Sequence, residues 1–191
     1  MVLTYSTMLP LGTKAPSFKL PDVRTGKQVA LEDYSGKSAL LIMFICQHCP
    51  YVKHIKDELA KLGRDYSDSA LAIIGISSND ADNYPDDSPS SLKKMCDELA
   101  LTYPLLYDED QSVAKRYTAA CTPDFFLFDK DHKLVYRGQL DDSRPGNDSP
   151  VTGKDLRAAM DAAIAGKTIS EDQKPSTGCN IKWRAGNAPN P

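Results

Sequence analysis

Seven consecutive apolar residues, Ala39-Leu40-Leu41-Ile42-Met43-Phe44-Ile45, run directly into Cys46-Gln47-His48-Cys49. Beyond them Val52, Ile55, Leu59, Leu62 and Tyr66 recur at spacings of three and four. The apolar run is short for a helix and reads as a strand buried on both faces. The recurring set is one stripe of an amphipathic helix, whose last turns Gly63 weakens. A strand covered on both sides requires packed layers above and below it, and so an α/β sheet flanked by helices.

The same alternation continues. Ala70–Ile76 reads as a second buried strand, followed by a Ser, Asn, Asp and Pro-rich loop over 77–90. A helix is expected from Ser91 to Leu101, with Leu92, Met95, Cys96 and Leu99 on one face. Pro104–Tyr107 reads as a short strand, and Asp110 as the N-cap of a helix carrying Val113 and Tyr117. Phe125–Phe128 and Leu134–Tyr136 flank the polar turn Asp129–His132 as a hairpin. Thr152 is expected to cap the last helix, with Val151 and Leu156 as a hydrophobic staple and Gly166 as its end. The implied sheet is mixed, with parallel neighbours and an antiparallel hairpin at one side. The expected organisation is one domain over 1–191: an irregular extension over 10–37, a core over 38–166 and a docked tail over 167–191.

Charge narrows the function. The 23 Lys and Arg against 26 Asp and Glu give a net charge of -3, which offers no basic field for nucleic acid. The longest apolar run falls far short of the ~20 residues of a membrane helix. The N-terminus lacks a charged segment followed by an apolar one, so the expected compartment is a reducing cytoplasm. Five cysteines there are not expected to form a structural disulfide framework, and a close pair suits redox or metal chemistry.

Cys46 and Cys49 are that pair. The spelling alone is a weak signal; its place between a buried strand and a helix strengthens it, because sites collect at the carboxyl ends of strands in open α/β sheets. Unpaired N–H groups and the positive end of the helix dipole favour thiolate over thiol, and the thiolate is the nucleophile in exchange. His48 reads either as a donor that stabilises the thiolate or as an exposed loop residue. His54 points away from the apolar stripe and is expected in solvent; His132 falls in the hairpin turn. Two registers remain open. Cys46 as N-cap places Pro50 where its missing N–H is costly, whereas Cys49 as N-cap makes Pro50 the first helical residue.

The strand, Cys46-x-x-Cys49 and helix resemble the thioredoxin superfamily. Ala120-Cys121-Thr122-Pro123-Asp124-Phe125-Phe126-Leu127-Phe128 resembles the segment carrying its cis-proline. From Leu11-Gly12-Thr13-Lys14-Ala15-Pro16 onward the chain is similar to the redoxin branch. Phe44–His54, Tyr136–Pro145 and Gly178-Cys179-Asn180-Ile181-Lys182-Trp183 resemble peroxiredoxin-like (AhpC/TSA-like) thioredoxin family proteins. The resemblance implies a thioredoxin-like fold, a cis Pro123, a substrate groove shaped by Thr122 and Pro123, and Cys46 attacking while Cys49 resolves. It departs from peroxiredoxins at one motif. In Pro-x-x-x-Thr-x-x-Cys, whose cysteine falls at Cys49, the proline position is Ile42 and the threonine position is Cys46.

Of the other cysteines, Cys96 reads as a buried apolar residue. Cys121 reads either as a third redox thiol at the substrate groove or as packing beneath its loop. Cys179 lies in a tail whose Trp183 calls for docking. The leading expectation is a thiol–disulfide oxidoreductase acting on a protein or small-molecule thiol or disulfide and recharged by a thiol reductant, with no cofactor. The alternatives are a thiol peroxidase and a metal-binding or delivery module using Cys46, Cys49, His48 and Cys121.

Overall fold

The computed structural model describes residues 3–189, so Met1, Val2, Asn190 and Pro191 of the expected domain lie outside the described residues. In chain order the elements are β1 (Leu3–Tyr5), β2 (Lys19–Pro21), β3 (Gln28–Ala30), a 3-10 turn (Leu31–Tyr34), β4 (Ala39–Phe44), α1 (Pro50–Asp65), β5 (Leu71–Ser77), a second 3-10 turn (Pro85–Asp87) and α2 (Pro89–Glu98). There follow β6 (Leu105–Tyr107), α3 (Ser112–Arg116), β7 (Cys121–Thr122), β8 (Asp124–Asp129), β9 (Leu134–Tyr136), α4 (Lys154–Ile164) and β10 (Thr177–Asn180).

The central sheet has the order β6-β5-β4-β8-β9. β4 pairs in parallel with β5 and antiparallel with β8, and the β8–β9 hairpin closes one side. The apolar run is explained by its two faces. Ala39, Leu41 and Met43 pack with the apolar stripe of α1 and with Leu156 and Met160 of α4. Leu40, Ile42 and Phe44 pack with Tyr117, Phe126 and Phe128 on the other side. Period-two alternation sends successive side chains to opposite layers, and both layers are apolar.

A second, smaller sheet has the order β1-β10-β7, so the expected docked tail enters the fold as a strand between two others. Among the described residues no helix is long and apolar enough to cross a membrane.

Several helix starts differ from expectation. α2 begins at Pro89, with Ser88 as N-cap accepting from the Ser91 amide, because proline suits the first helical position. The N-cap of α3 is Gln111 rather than Asp110. Buried Asp108 accepts from the Val113 and Ala114 amides, while Asp110 accepts from Ser112. Gly153, in a left-handed conformation, caps α4 in place of Thr152; the Asp141 carboxylate accepts from both their amides at 2.6 Å. His54 is half-buried and bonded to Ser143 at 2.6 Å, so it does not stand free in solvent.

Candidate active site

The loop from β4 to α1 adopts the second register. Cys49 is the N-cap of α1 with extended backbone, and Pro50 is its first residue. This leaves the N–H groups of the first turn pointing toward Cys49, and the missing proline N–H costs nothing there. Both sulfurs of the motif are buried.

Cys46 and Cys49 sit in one buried cluster, and each shifts the other's thiol. Cys46 Sγ also lies 3.3 Å from Thr122 Oγ1 and 3.9 Å from His48 Nδ1, and Cys49 donates to the Thr122 carbonyl at 3.1 Å. The two thiols are driven apart electrostatically. Burial, the hydrogen bond to Cys49 and the nearby Asp87 charge push the Cys46 thiol well up. The hydrogen bond from Cys46, against burial, brings Cys49 down to about 4, with Cys179, Thr122 and the Val52 amide adding to it. Of the two, Cys49 at the helix start is the thiol whose ionised form the surroundings favour.

Asp87 organises the loop, and no local sequence signal marked it. Its Oδ1 accepts from the Gln47 and His48 amides at 2.7 and 3.0 Å, and its Oδ2 accepts from His48 Nδ1 and from Asn79 Nδ2. Burial raises its carboxyl, but the hydrogen bonds from His48 and Asn79 outweigh it and hold the group below its ordinary value. His48 is half-buried and stacks on Tyr84 at 5.2 Å, so it is not an exposed loop residue. Among the described residues, the ligand atoms of Cys46, His48 and Asp87 lie within 4.8 Å of one another and form the set that could hold a metal. Cys121 is not in that set and donates to the Pro123 carbonyl at 3.5 Å.

The Thr122–Pro123 bond is cis. Thr122 is buried, and its strand β7 pairs with β10 in the register Cys179 to Thr122 and Asn180 to Cys121. The backbone edge that the resemblance assigns to substrate is thus covered by the chain's own tail. Cys179 is buried in the same cluster as Cys46 and Cys49. Cys96 is buried on α2 among apolar neighbours, away from the site.

The sheet order, with a cysteine pair at the end of a central strand opposite a cis-proline loop, is that of the thioredoxin-like fold, and the solved thioredoxin domain of a Bacteroides vulgatus thiol-disulfide oxidoreductase, 24% identical, superposes with a TM-score of 0.57 over 71% of this chain and 90% of that one. Residues 11–137 match the AhpC/TSA family, and the chain belongs to that family. A candidate peroxiredoxin of Mycobacterium tuberculosis is 34% identical over 118 residues, 61% of this chain and 69% of that protein. The thiol-disulfide oxidoreductase ResA of Bacillus thuringiensis is 26% identical over 133 residues, 66% of this chain and 68% of that protein. The crystal structure of a conserved protein from Geobacillus kaustophilus is 54% identical, with a TM-score of 0.94 over 96% of this chain and 97% of that one.

Proposed function

We propose that the protein is a thiol–disulfide oxidoreductase in which Cys49 is the attacking thiolate and Cys46 the resolving thiol. The observation that carries this is the pair itself: two buried thiols at a helix start, both against Thr122 beside the cis-proline; their surroundings push Cys46 up and draw Cys49 down. The register at Pro50 supports this assignment over the one implied by the thioredoxin resemblance, in which Cys46 attacks and Cys49 resolves. Cys49 thiolate attacks a substrate disulfide, forms a mixed disulfide and releases one substrate thiolate. Cys46 then attacks Cys49 Sγ, the second substrate thiolate leaves, and the Cys46 proton passes to it. The substrate is reduced by two electrons and the protein holds a Cys46–Cys49 disulfide. Asp87 and His48 position the loop between the two sulfurs. With β10 across Thr122, the site favours small or extended, flexible disulfides over a folded protein surface.

Peroxide reduction is the second reading, favoured by one observation. Cys49 followed by Pro50 at the helix start falls where peroxiredoxins carry their reactive cysteine, although Cys46 stands in the threonine position. A redox titration against glutathione with peptide mapping, run beside single-turnover peroxide consumption, separates the two. A reversible two-electron Cys46–Cys49 couple with slow peroxide turnover is expected; fast peroxide turnover without that couple overturns it.

A further inference from the structure

Cys49 has a thiol on each side. Cys46 flanks it in the loop and Cys179 on β10, and all three share one buried cluster. The second position is built by the backbone. β10 lies between β1 and β7 with Cys179 opposite both Leu3 and Thr122. Its neighbour Gly178 approaches so closely that a Cβ there would lie 2.0 Å from the Thr122 carbonyl oxygen. That same carbonyl accepts from Cys49 at 3.1 Å. One peptide group therefore fixes both the strand bearing Cys179 and the thiol of Cys49. Cys121, equally buried in the adjoining strand, is aimed instead at the Pro123 carbonyl.

Resting on the oxidoreductase reading above, we propose that Cys179 is a third redox thiol that exchanges with the Cys46–Cys49 disulfide and ties β10 to the head of α1. In this step Cys179 Sγ attacks Cys49 Sγ. The Cys49–Cys179 bond forms, the Cys46–Cys49 bond breaks, and Cys46 leaves as a thiolate that takes the proton Cys179 gives up. No electrons enter or leave, so the disulfide already present is the only oxidant needed. The product secures the tail across Thr122 while Cys46 is reduced again.

The test is peptide mapping by mass spectrometry of native protein treated with diamide and quenched in acid. Wild type, Cys46→Ser and Cys179→Ser are compared. The Cys46→Ser protein is expected to form an intramolecular Cys49–Cys179 disulfide in most molecules, and Cys179→Ser to form only Cys46–Cys49. A Cys46→Ser protein that retains a diamide adduct on Cys49, or dimerises through it, while wild type forms Cys46–Cys49, overturns the role of Cys179 alone. Wild type that forms no Cys46–Cys49 bond overturns the parent reading, and the Cys46→Ser arm still decides Cys179. Should Cys46→Ser not fold, wild type equilibrated in glutathione buffers gives the same decision: a Cys49–Cys179 peptide absent from Cys179→Ser supports the exchange, and its absence from wild type overturns it.

Discussion

His48 is held to Asp87 twice, through its backbone amide at 3.0 Å and through its ring Nδ1. With the Gln47 amide and Asn79 on the same carboxylate, one buried side chain fixes the loop between the two sulfurs. Replacing Asp87 by Ala leaves these donors without an acceptor, and buried unpaired donors cost roughly 1–3 kcal/mol each. Asp87→Ala is expected to lower stability in urea by about 3 kcal/mol or more. In whatever fraction folds, the Cys46 thiol moves down, because the negative neighbour that pushes it up is gone. Unchanged urea midpoints would count against Asp87 as the organiser.

Cys49 is expected to titrate near 4 in the reduced protein, followed by thiolate absorbance. Limiting iodoacetamide at pH 6 should label it ahead of the other four cysteines. Cys46→Ala removes the largest influence holding Cys49 down, so its titration moves up and its labelling at pH 6 slows. Preferential labelling of Cys46 in the wild type would reverse the assigned roles.

Asp124 follows the cis-proline, is wholly buried, and has an Oδ1 without a partner. Burial pushes its carboxyl up to about 7. An unfolded chain releases that proton near the ordinary value of about 4. The folded state therefore holds a proton that the unfolded state loses, and stability falls as pH rises from about 4 to 7 and is then level. Each pH unit in that window is worth ~1.4 kcal/mol at most. Asp124→Asn is expected to flatten this part of the profile and to gain relative to wild type between pH 5 and pH 8. Parallel profiles of melting temperature against pH in the two proteins would refute the account.

Gly178→Ala places a methyl group 2.0 Å from the Thr122 carbonyl oxygen and 2.6 Å from its carbon, both backbone atoms. Neither can turn aside as a side chain would, so β10 must shift from β7. Overpacking of this kind typically costs 1–3 kcal/mol, taken here as roughly the lower bound. The mutant is expected to melt lower and to alkylate faster at Cys49. A wild-type labelling rate would mean that β10 does not shield the site.

The sequence was most informative where physical signals are local. Val52, Ile55, Leu59 and Leu62 mark α1 because a helix face repeats every three or four residues, and the buried β4 is marked by its unbroken apolar run. Pro50 narrowed the helix start to two registers through chemistry confined to one helical turn, and the fold takes the one in which it is the first helical residue. Asp87 was not legible: it sits among Asp80, Asp82 and Asp86 in a polar loop, and only the folded chain buries Asp80 and Asp87 and turns Asp87 onto the Gln47 and His48 amides. The same holds for Asp108 beside Asp110, where the cap is made by the residue that folding turns inward. Thr177–Asn180 carries no apolar alternation, since it becomes a strand through partners at Leu3–Tyr5 and Cys121–Thr122.

The position of β10 also orders events during synthesis. The ribosome delivers Cys46 and Cys49 long before Cys179, so the strand that shields them is made well after them. A nascent chain can assemble β4, α1 and β5 while its dithiol is still uncovered, and during that interval it meets cellular thiols and oxidants directly. Maturation of this centre is thus a closing step, in which arrival of the tail converts an accessible dithiol into a guarded one.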